Sequence, residues 1–413
     1  KPSSTGGSRV AETGRRSTRG IAILLAALSA LGPFSIDAYL PSFPDIAAKL
    51  GATQLEVQQT LTAYMLPFAL MSLWHGAIAD ALGRRRVLLV SLALFALASA
   101  GCVFATRIEH LWVLRALQGI SAGAGIVVSR AIVRDLYDGP EAQRLMSHIS
   151  MMFALAPAIA PVIGGRLQQW FGWQSVFVFL VAASFLVWFA CWRLLPETLP
   201  EAQRQPLHPA YLARAYWHVL TSPAFLLACA GLAFNFGGFF IYVMSAPVFL
   251  MRHLGVPETG FFWLFGPAMM GLMSGSWLSG RFAGKITARQ TIKRGYLIMG
   301  TATLCNIALN LTLPPGLPWS VLPIFVYTFG MSVAMPSLTL LSLDPFPQQR
   351  GLAASCQMFL QASINSLAAG VLAPLLWDST RTLALGMLAL MLLGLGCVLL
   401  HLRLTHPGAP TRA

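Results

Sequence analysis

Charge is what this sequence has least of. Only 10% of its 413 residues are Asp, Glu, Lys or Arg, whereas a soluble chain carries about 25%. That deficit excludes a surface wetted on all sides. Acids are scarcer than bases, 14 against 28, so each carboxylate can be considered in turn. The six cysteines (Cys102, Cys191, Cys229, Cys305, Cys356 and Cys397) show no CxxC and no Cys/His spacing. That removes zinc and disulfide-framework readings and leaves them as small packing residues; no metal site is expected. There is no Ser/His/Asp set, metal-ligand spacing or phosphate loop, so an enzyme is not expected and no cofactor is implied. The formal charge of +14 invites a nucleic-acid reading. However, the basic residues form no basic helix or aromatic-interleaved patch, so nucleic acid is excluded as a partner.

What is present in excess is apolar sequence. The hydrophobic fraction is 56%, in blocks near the roughly 20 residues that cross a bilayer as a helix. The blocks are too long and too uniformly apolar for alternating barrel strands. The expected fold class is an all-α membrane protein of twelve transmembrane helices, the first over 20–42 and the last over 380–403. The longest polar break, 195–222, divides the spans six and six. The expected organisation is a disordered cytoplasmic tail over 1–19, an N-terminal six-helix bundle over 20–194, a cytoplasmic linker over 195–222, a C-terminal six-helix bundle over 223–404 and a cytoplasmic tail over 405–413.

Lys and Arg set the orientation. Arg84, Arg85, Arg86, Arg134, Arg144, Arg193, Arg204, Arg214, Arg281, Lys285, Arg289, Lys293, Arg294 and Arg350 fall on the side of the termini and linker. Only Lys49, Arg107, Arg166, Arg252 and Arg381 fall on the other. The positive-inside rule therefore places both termini in the cytoplasm.

Ionisable groups inside a membrane are costly and default to functional candidates. Asp37 is the one acid well inside a span, which makes it the leading proton carrier. Arg115 is its expected partner. Asp37 lies 18 residues after Arg19, and Arg115 lies 19 residues before Arg134. Both are therefore roughly 27–29 Å from the cytoplasmic ends of their helices. Similar depth leaves contact open, because rotation about each helix axis is not fixed by sequence. A fixed structural ion pair, or an aspartate in water at the mouth of span one, is the alternative.

Three motifs follow. Gly76-Ala-Ile-Ala-Asp80-Ala-Leu-Gly83-Arg84-Arg85-Arg86 ends the second span, with a degenerate echo at Gly280-Arg-Phe-Ala-Gly284-Lys285 after the eighth. Span four carries Arg115-Ala-Leu-Gln118-Gly119. Span five carries Pro157-Ala-Ile-Ala-Pro161-Val-Ile-Gly164-Gly165, where prolines and small residues permit kinks and close packing. The first resembles the G-x-x-x-D-x-x-G-R-R-R loop of the major facilitator superfamily, the second its R-x-x-Q-G motif, and the third its antiporter motif, with Ala160 where that core begins with glycine. Ser35-Ile36-Asp37-Ala38-Tyr39-Leu40-Pro41-Ser42-Phe43-Pro44 resembles the D-x-Y-L-P-x-x-P segment of the Bcr/CflA-like bicyclomycin and chloramphenicol resistance branch, as do Arg130–Asp135 and Arg350–Ser355.

The resemblance implies a drug/proton antiporter of the bacterial inner membrane. In it Gly76, Asp80, Gly83, Arg84 and Arg85 would form a conformational latch between the bundles, and Asp37 and Arg115 would couple to protons. Ser29 and Ala30 stand where some drug exporters carry a second acid, which favours a single coupling carboxylate. A pocket between the bundles is expected near the midplane. Tyr39, Tyr64, Met65, Asn235, Phe239, Tyr242, Met335, Gln357 and Gln361 are candidate lining residues, with span-to-span packing as the alternative for each. Expected partners are small drugs, protons and the bilayer, with the protein acting as a monomer. A symporter importing a small metabolite is the competing function.

Overall fold

The computed structural model describes the backbone of residues 6–137, 139–204, 209–282, 285–343, 345–346 and 350–405, and the side chains of these except 6–19, 134, 139–144, 146–154, 203, 209, 211 and 350–351. The described chain is helical. In order, the helices are α1 (Gly6–Asp37), α2 (Phe43–Leu50), α3 (Gln54–Leu82), α4 (Arg84–Val103), α5 (Ile108–Leu136), α6 (Gly139–Phe171), α7 (Gln174–Leu194), α8 (Pro209–Leu220), α9 (Pro223–Met244), α10 (Phe262–Phe282), α11 (Ala288–Thr312), α12 (Leu322–Leu343), α13 (Arg350–Leu367), α14 (Ala373–Leu376) and α15 (Thr380–Thr405). Setting aside the short α2, α8 and α14, twelve long helices remain among the described residues. They match the twelve expected blocks.

Local chemistry explains the ends. Thr53 and Glu56 form a reciprocal capping box at the start of α3, and Thr287 and Gln290 form another at α11. Pro41 and Pro44 follow Asp37 and lack the N–H groups that would carry α1 onward. The chain therefore turns through Leu40–Ser42 into α2. Helical backbone begins at Gly6, within the segment expected to be a tail, because no proline after Pro2 interrupts the ladder before Pro33.

Nine helices among the described residues are long and apolar enough to cross a membrane by length and composition. Of the other long helices, α11 carries Arg289, Lys293 and Arg294 in its first turns, and α10 is diluted by glycine and serine.

The two halves repeat one packing plan. In the first, α3 packs on α5, α4 on α5 and α7, and α1 on α5, α6 and α7. In the second, α10 packs on α12, α11 on α12 and α15, and α9 on α12, α13 and α15. Each of these contacts in one bundle thus has its counterpart in the other. The bundles meet mainly through α3 against α13 and α6 against α10. Leucines such as Leu297, Leu304, Leu385 and Leu392 stay exposed around the outside, as a lipid-facing surface requires.

Candidate functional site

Arg115 sits on α5 in the middle of the N-terminal bundle and is fully buried. Its guanidinium lies 4.4 Å from the ring centroid of Tyr64 and 4.9 Å from that of Tyr39. Nη1 donates to Gln118 Oε1 at 2.8 Å and to the Ser35 carbonyl at 3.3 Å. Gln118 is held in turn by donating to Ser99 Oγ at 2.7 Å. Nε and Nη2 are buried without a hydrogen-bond partner among the described residues. Close approach of α5 to α3 depends on Gly119, where a Cβ would fall on the Tyr64 carbonyl oxygen.

Asp37 is the last residue of α1 and is 5% exposed. It forms no ion pair with Arg115: among the described residues, no carboxylate oxygen lies within 4.0 Å of the guanidinium. Arg115 is the expected partner, with contact left open by depth alone; no direct ion pair forms here. The reason is angular. Side chains two apart on a helix point about 200° apart. The side of α1 that meets α3 and α5 is marked by Ser35, whose hydroxyl donates to Tyr64 Oη at 3.0 Å. Tyr64 Oη donates to the Gly32 carbonyl at 3.1 Å and lies within electrostatic reach of both Arg115 and Asp37. Tyr39 accepts a 3.1 Å hydrogen bond from Thr60. Tyr39 and Tyr64, two of the three tyrosines expected to line a pocket, are thus buried around Arg115.

The other lining candidates divide. Asn235 donates to Tyr296 Oη at 2.7 Å, and its carbonyl accepts from Tyr327 at 2.8 Å. Tyr242 accepts from Asn306 at 2.8 Å. These polar groups are engaged inside the C-terminal bundle, which sequence spacing could not reveal because Asn306 and Tyr296 carry no motif. Met65 and Phe239 are buried. Gln357, Gln361 and Met335 are half-buried, and Gln357 accepts from Ser342 at 3.3 Å.

The motif on α6 forms two contacts. A Cβ at Gly164 would collide with the Ala38 carbonyl just past the end of α1, and one at Gly165 would collide with the Glu258 carbonyl of the other bundle. Pro157 and Pro161 lie inside the same helix. At this end of the molecule, the end away from the linker, the seam between bundles is closed. Gln58 and Gln59 donate to the carbonyls of Ala369 and Gly370 at 3.1 and 2.9 Å. Those acceptors belong to a π-turn at Ala368–Leu372, which frees carbonyls from the regular ladder. Glu258 has its carboxyl pushed above the usual carboxylate range, first by burial and then by the charge of Asp45. Asp45 itself pairs with Lys49 at 3.1 Å and accepts from the Trp173 N–H at 3.4 Å.

At the linker end the loop motif closes into a cluster. Arg84 pairs with Asp80 at 2.5 Å and with Asp135 at 3.2 Å, and its backbone N–H donates to Glu197 at 2.9 Å. Thr198 donates to Asp135 at 2.9 Å. Arg85 donates to the Trp192 carbonyl at 2.6 Å. Gly83 adopts φ +96° with the Glu197 carboxylate pressed against it. Gly76 has only ordinary packing around it: a Cβ there would come no closer than 3.7 Å to Val127. Glu197 and Thr198 therefore complete a site of which the sequence offered the α3–α4 loop and, separately, the Arg130–Asp135 stretch that supplies Asp135; the Pro196-Glu197-Thr198 run reads merely as the start of a linker.

The family model described as Major Facilitator Superfamily matches residues 20–369. The uncharacterised MFS-type transporter YdgK of Bacillus subtilis is 33% identical over 349 residues, covering 84% of this chain and 87% of that one. A bicyclomycin resistance protein homologue of Haemophilus influenzae is 30% identical over 279 residues, covering 68% and 70%. A bacterial homologue of the human lysosomal transporter Spinster, in an inward-facing and unoccupied conformation, shares the fold with a TM-score of 0.70 at 17% identity, covering 93% of this chain and 96% of that one.

Proposed function

This chain belongs to the Major Facilitator Superfamily and is a multi-pass membrane transporter rather than an enzyme; from that premise we propose that it exports small hydrophobic or amphiphilic drugs in exchange for protons, by alternating access. The direction and substrate class rest on similarity to a relative named for bicyclomycin resistance and on the segment around Asp37. The membrane is the bacterial inner membrane, with both termini and the linker in the cytoplasm, consistent with the Lys/Arg bias. The seam closed by Gln58, Gln59 and Gly165 then faces outward. The transporter works as a monomer without a cofactor.

One observation carries the coupling. Asp37 is a buried carboxylate without an ion-pair partner among the described residues, while Arg115 of the same bundle is held by aromatic faces and amide oxygens instead of by an acid. A carboxylate left unpaired in one conformation and paired in another takes up and releases a proton as the conformation changes. One proton supplies about 1.4 kcal/mol per pH unit and about 2.3 kcal/mol per 100 mV. Together these sustain tens- to hundreds-fold drug gradients. Neutral or zwitterionic drugs such as phenicols suit a protein with one membrane carboxylate.

The experiment is transport of a phenicol in proteoliposomes under an imposed pH gradient, comparing wild type with Asp37→Asn. Counterflow of drug against protons in the wild type alone is the expected result. Drug moving with the protons makes the protein a symporter, and an unimpaired Asp37→Asn moves the coupling elsewhere.

A further inference from the structure

Outside the paired bundles' seam, a cleft of about 350 Å³ opens at the end away from the linker, between the last turn of α11 and the first turn of α15. Its polar wall holds His253, Asn310, Asp378, Thr380 and Arg381. The wall is built. His253 Nε2 donates to the Trp377 carbonyl at 2.7 Å. Arg381 Nε donates to the Asn310 carbonyl at 3.1 Å, and its backbone N–H to Ser379 Oγ at 3.1 Å. Asn310 is anchored by donating to the Asn306 carbonyl at 2.8 Å. Thr380 is 5% exposed and lines the cleft. It opens α15, where free backbone N–H groups and the helix dipole favour an anion.

Two apolar stripes lead up to this cleft. On α11, Leu297, Leu304 and Leu311 are exposed at intervals of seven residues, a spacing that repeats every two turns on one face. On α15, Leu385, Leu392 and Leu399 do the same, and Arg381 stands one turn above Leu385 on that face. The two helices pack side by side. Trp319, bonded through Nε1 to the Pro314 carbonyl at 2.8 Å, marks the level at which aromatic residues gather at a membrane boundary. A cation at the head of two lipid-facing stripes is placed for a phosphodiester with its acyl chains running down the leucines. Asp378 in the same wall adds a negative charge, which disfavours a purely anionic headgroup and offers an acceptor to an ammonium.

We propose that this cleft binds the headgroup of an aminophospholipid, with the phosphate on Arg381 and the α15 N-terminus and the ethanolamine ammonium on Asp378. The site goes beyond drug transport and does not depend on it; with the orientation argued above, the cleft lies at the level of the outer leaflet.

The test is native mass spectrometry of the detergent-purified full chain, titrated with phosphatidylethanolamine, phosphatidylcholine and phosphatidylglycerol of matched acyl chains. Wild type should retain phosphatidylethanolamine at least fivefold better than the other two. Arg381→Gln should abolish that preference by losing the lipid. Asp378→Asn, at an exposed position that leaves folding intact, should keep lipid but bind ethanolamine and choline headgroups alike. Soluble glycerophosphoethanolamine separates a lipid site from a free-headgroup site, and should compete only at concentrations at least a hundredfold higher. Equal retention of the three lipids by wild type, an unaltered preference in both variants, or competition by the soluble headgroup at the lipid's own concentration would each overturn the proposal.

Discussion

Arg115 and Tyr64 stack with 4.4 Å between the guanidinium carbon and the ring centroid, and this contact takes the place of a carboxylate at a fully buried cation. A desolvated cation–π contact is worth about 2 kcal/mol or more, and Tyr39 adds a second face at 4.9 Å. Tyr64→Leu removes the ring and should destabilise the protein by about 2–4 kcal/mol, combining that loss with the lost packing. Tyr64→Phe keeps the ring and loses only the hydroxyl contacts to Ser35 and Gly32, at about 1 kcal/mol. Thermal unfolding in detergent checks the order. Proton-driven transport should survive in Tyr64→Phe and fall at least tenfold in Tyr64→Leu. Equal losses in both would mean the hydroxyl, not the ring, holds Arg115.

The sequence made the twelve spans legible because lipid imposes length and apolarity on every crossing helix. It singled out Asp37 and Arg115 because charge is rare in that setting. Their relation was not legible, since it depends on the rotation of α1 and α5 about their own axes. Nor was the part played by Tyr39 and Tyr64: a tyrosine in mid-span reads equally as packing, as pocket lining or as a cation platform. Glu197 was hidden for the opposite reason. In a polar linker another carboxylate carries no signal, and only the fold brings it onto Gly83. Asn306, partner of Tyr242, lies in a helix without any motif.

The two glycines of the α3–α4 motif should behave differently. Gly83 has φ +96° and ψ +145°, a backbone region close to glycine's own, where other residues cost about 1–3 kcal/mol. A Cβ there would also stand 2.5 Å from a Glu197 carboxylate oxygen. Gly83→Ala should therefore displace the linker from Arg84 and reduce transport severely. Gly76→Ala meets nothing closer than 3.7 Å and should transport within about twofold of wild type, gaining up to about 1 kcal/mol of helix propensity. Limited proteolysis across 195–204 reads the displaced linker directly. A linker equally protected in both variants would contradict the role given to Gly83.

Glu258 predicts a pH dependence of the closed seam. Its carboxyl is raised by burial and by Asp45, so the closed form binds the proton more tightly than a form in which Glu258 is solvated and apart from Asp45. By linkage, closure gains full benefit below the usual carboxylate range and loses it as pH rises through the raised value. Distances between spin labels flanking Gln59 and Gly370 should lengthen with rising pH in wild type. In Glu258→Gln, which mimics the protonated acid, that pH response should be much reduced. A wild-type seam whose labels do not move with pH would remove Glu258 as a titrating element.

Adjacent glycines on α6 separate folding from gating. Gly164 touches the Ala38 carbonyl within its own bundle, whereas Gly165 touches the Glu258 carbonyl across the seam. Both acceptors are backbone, so neither clash is relieved by a side chain moving aside. Gly164→Ala forces α1 and α6 apart inside a packed core, where overpacking costs about 1–3 kcal/mol, and should lower the unfolding temperature. Gly165→Ala meets its obstacle only while the seam is closed. It should fold as stably as wild type once the bundles separate, yet favour the conformation open at that end. Cysteine accessibility near Gln58 measures the shift: labelling should rise severalfold in Gly165→Ala at unchanged yield. In Gly164→Ala yield should fall, while the labelling of the surviving folded protein stays near wild type. If the two variants gave the same phenotype, the seam contact would be one more packing contact and the closed end would owe its stability to Gln58 and Gln59 alone.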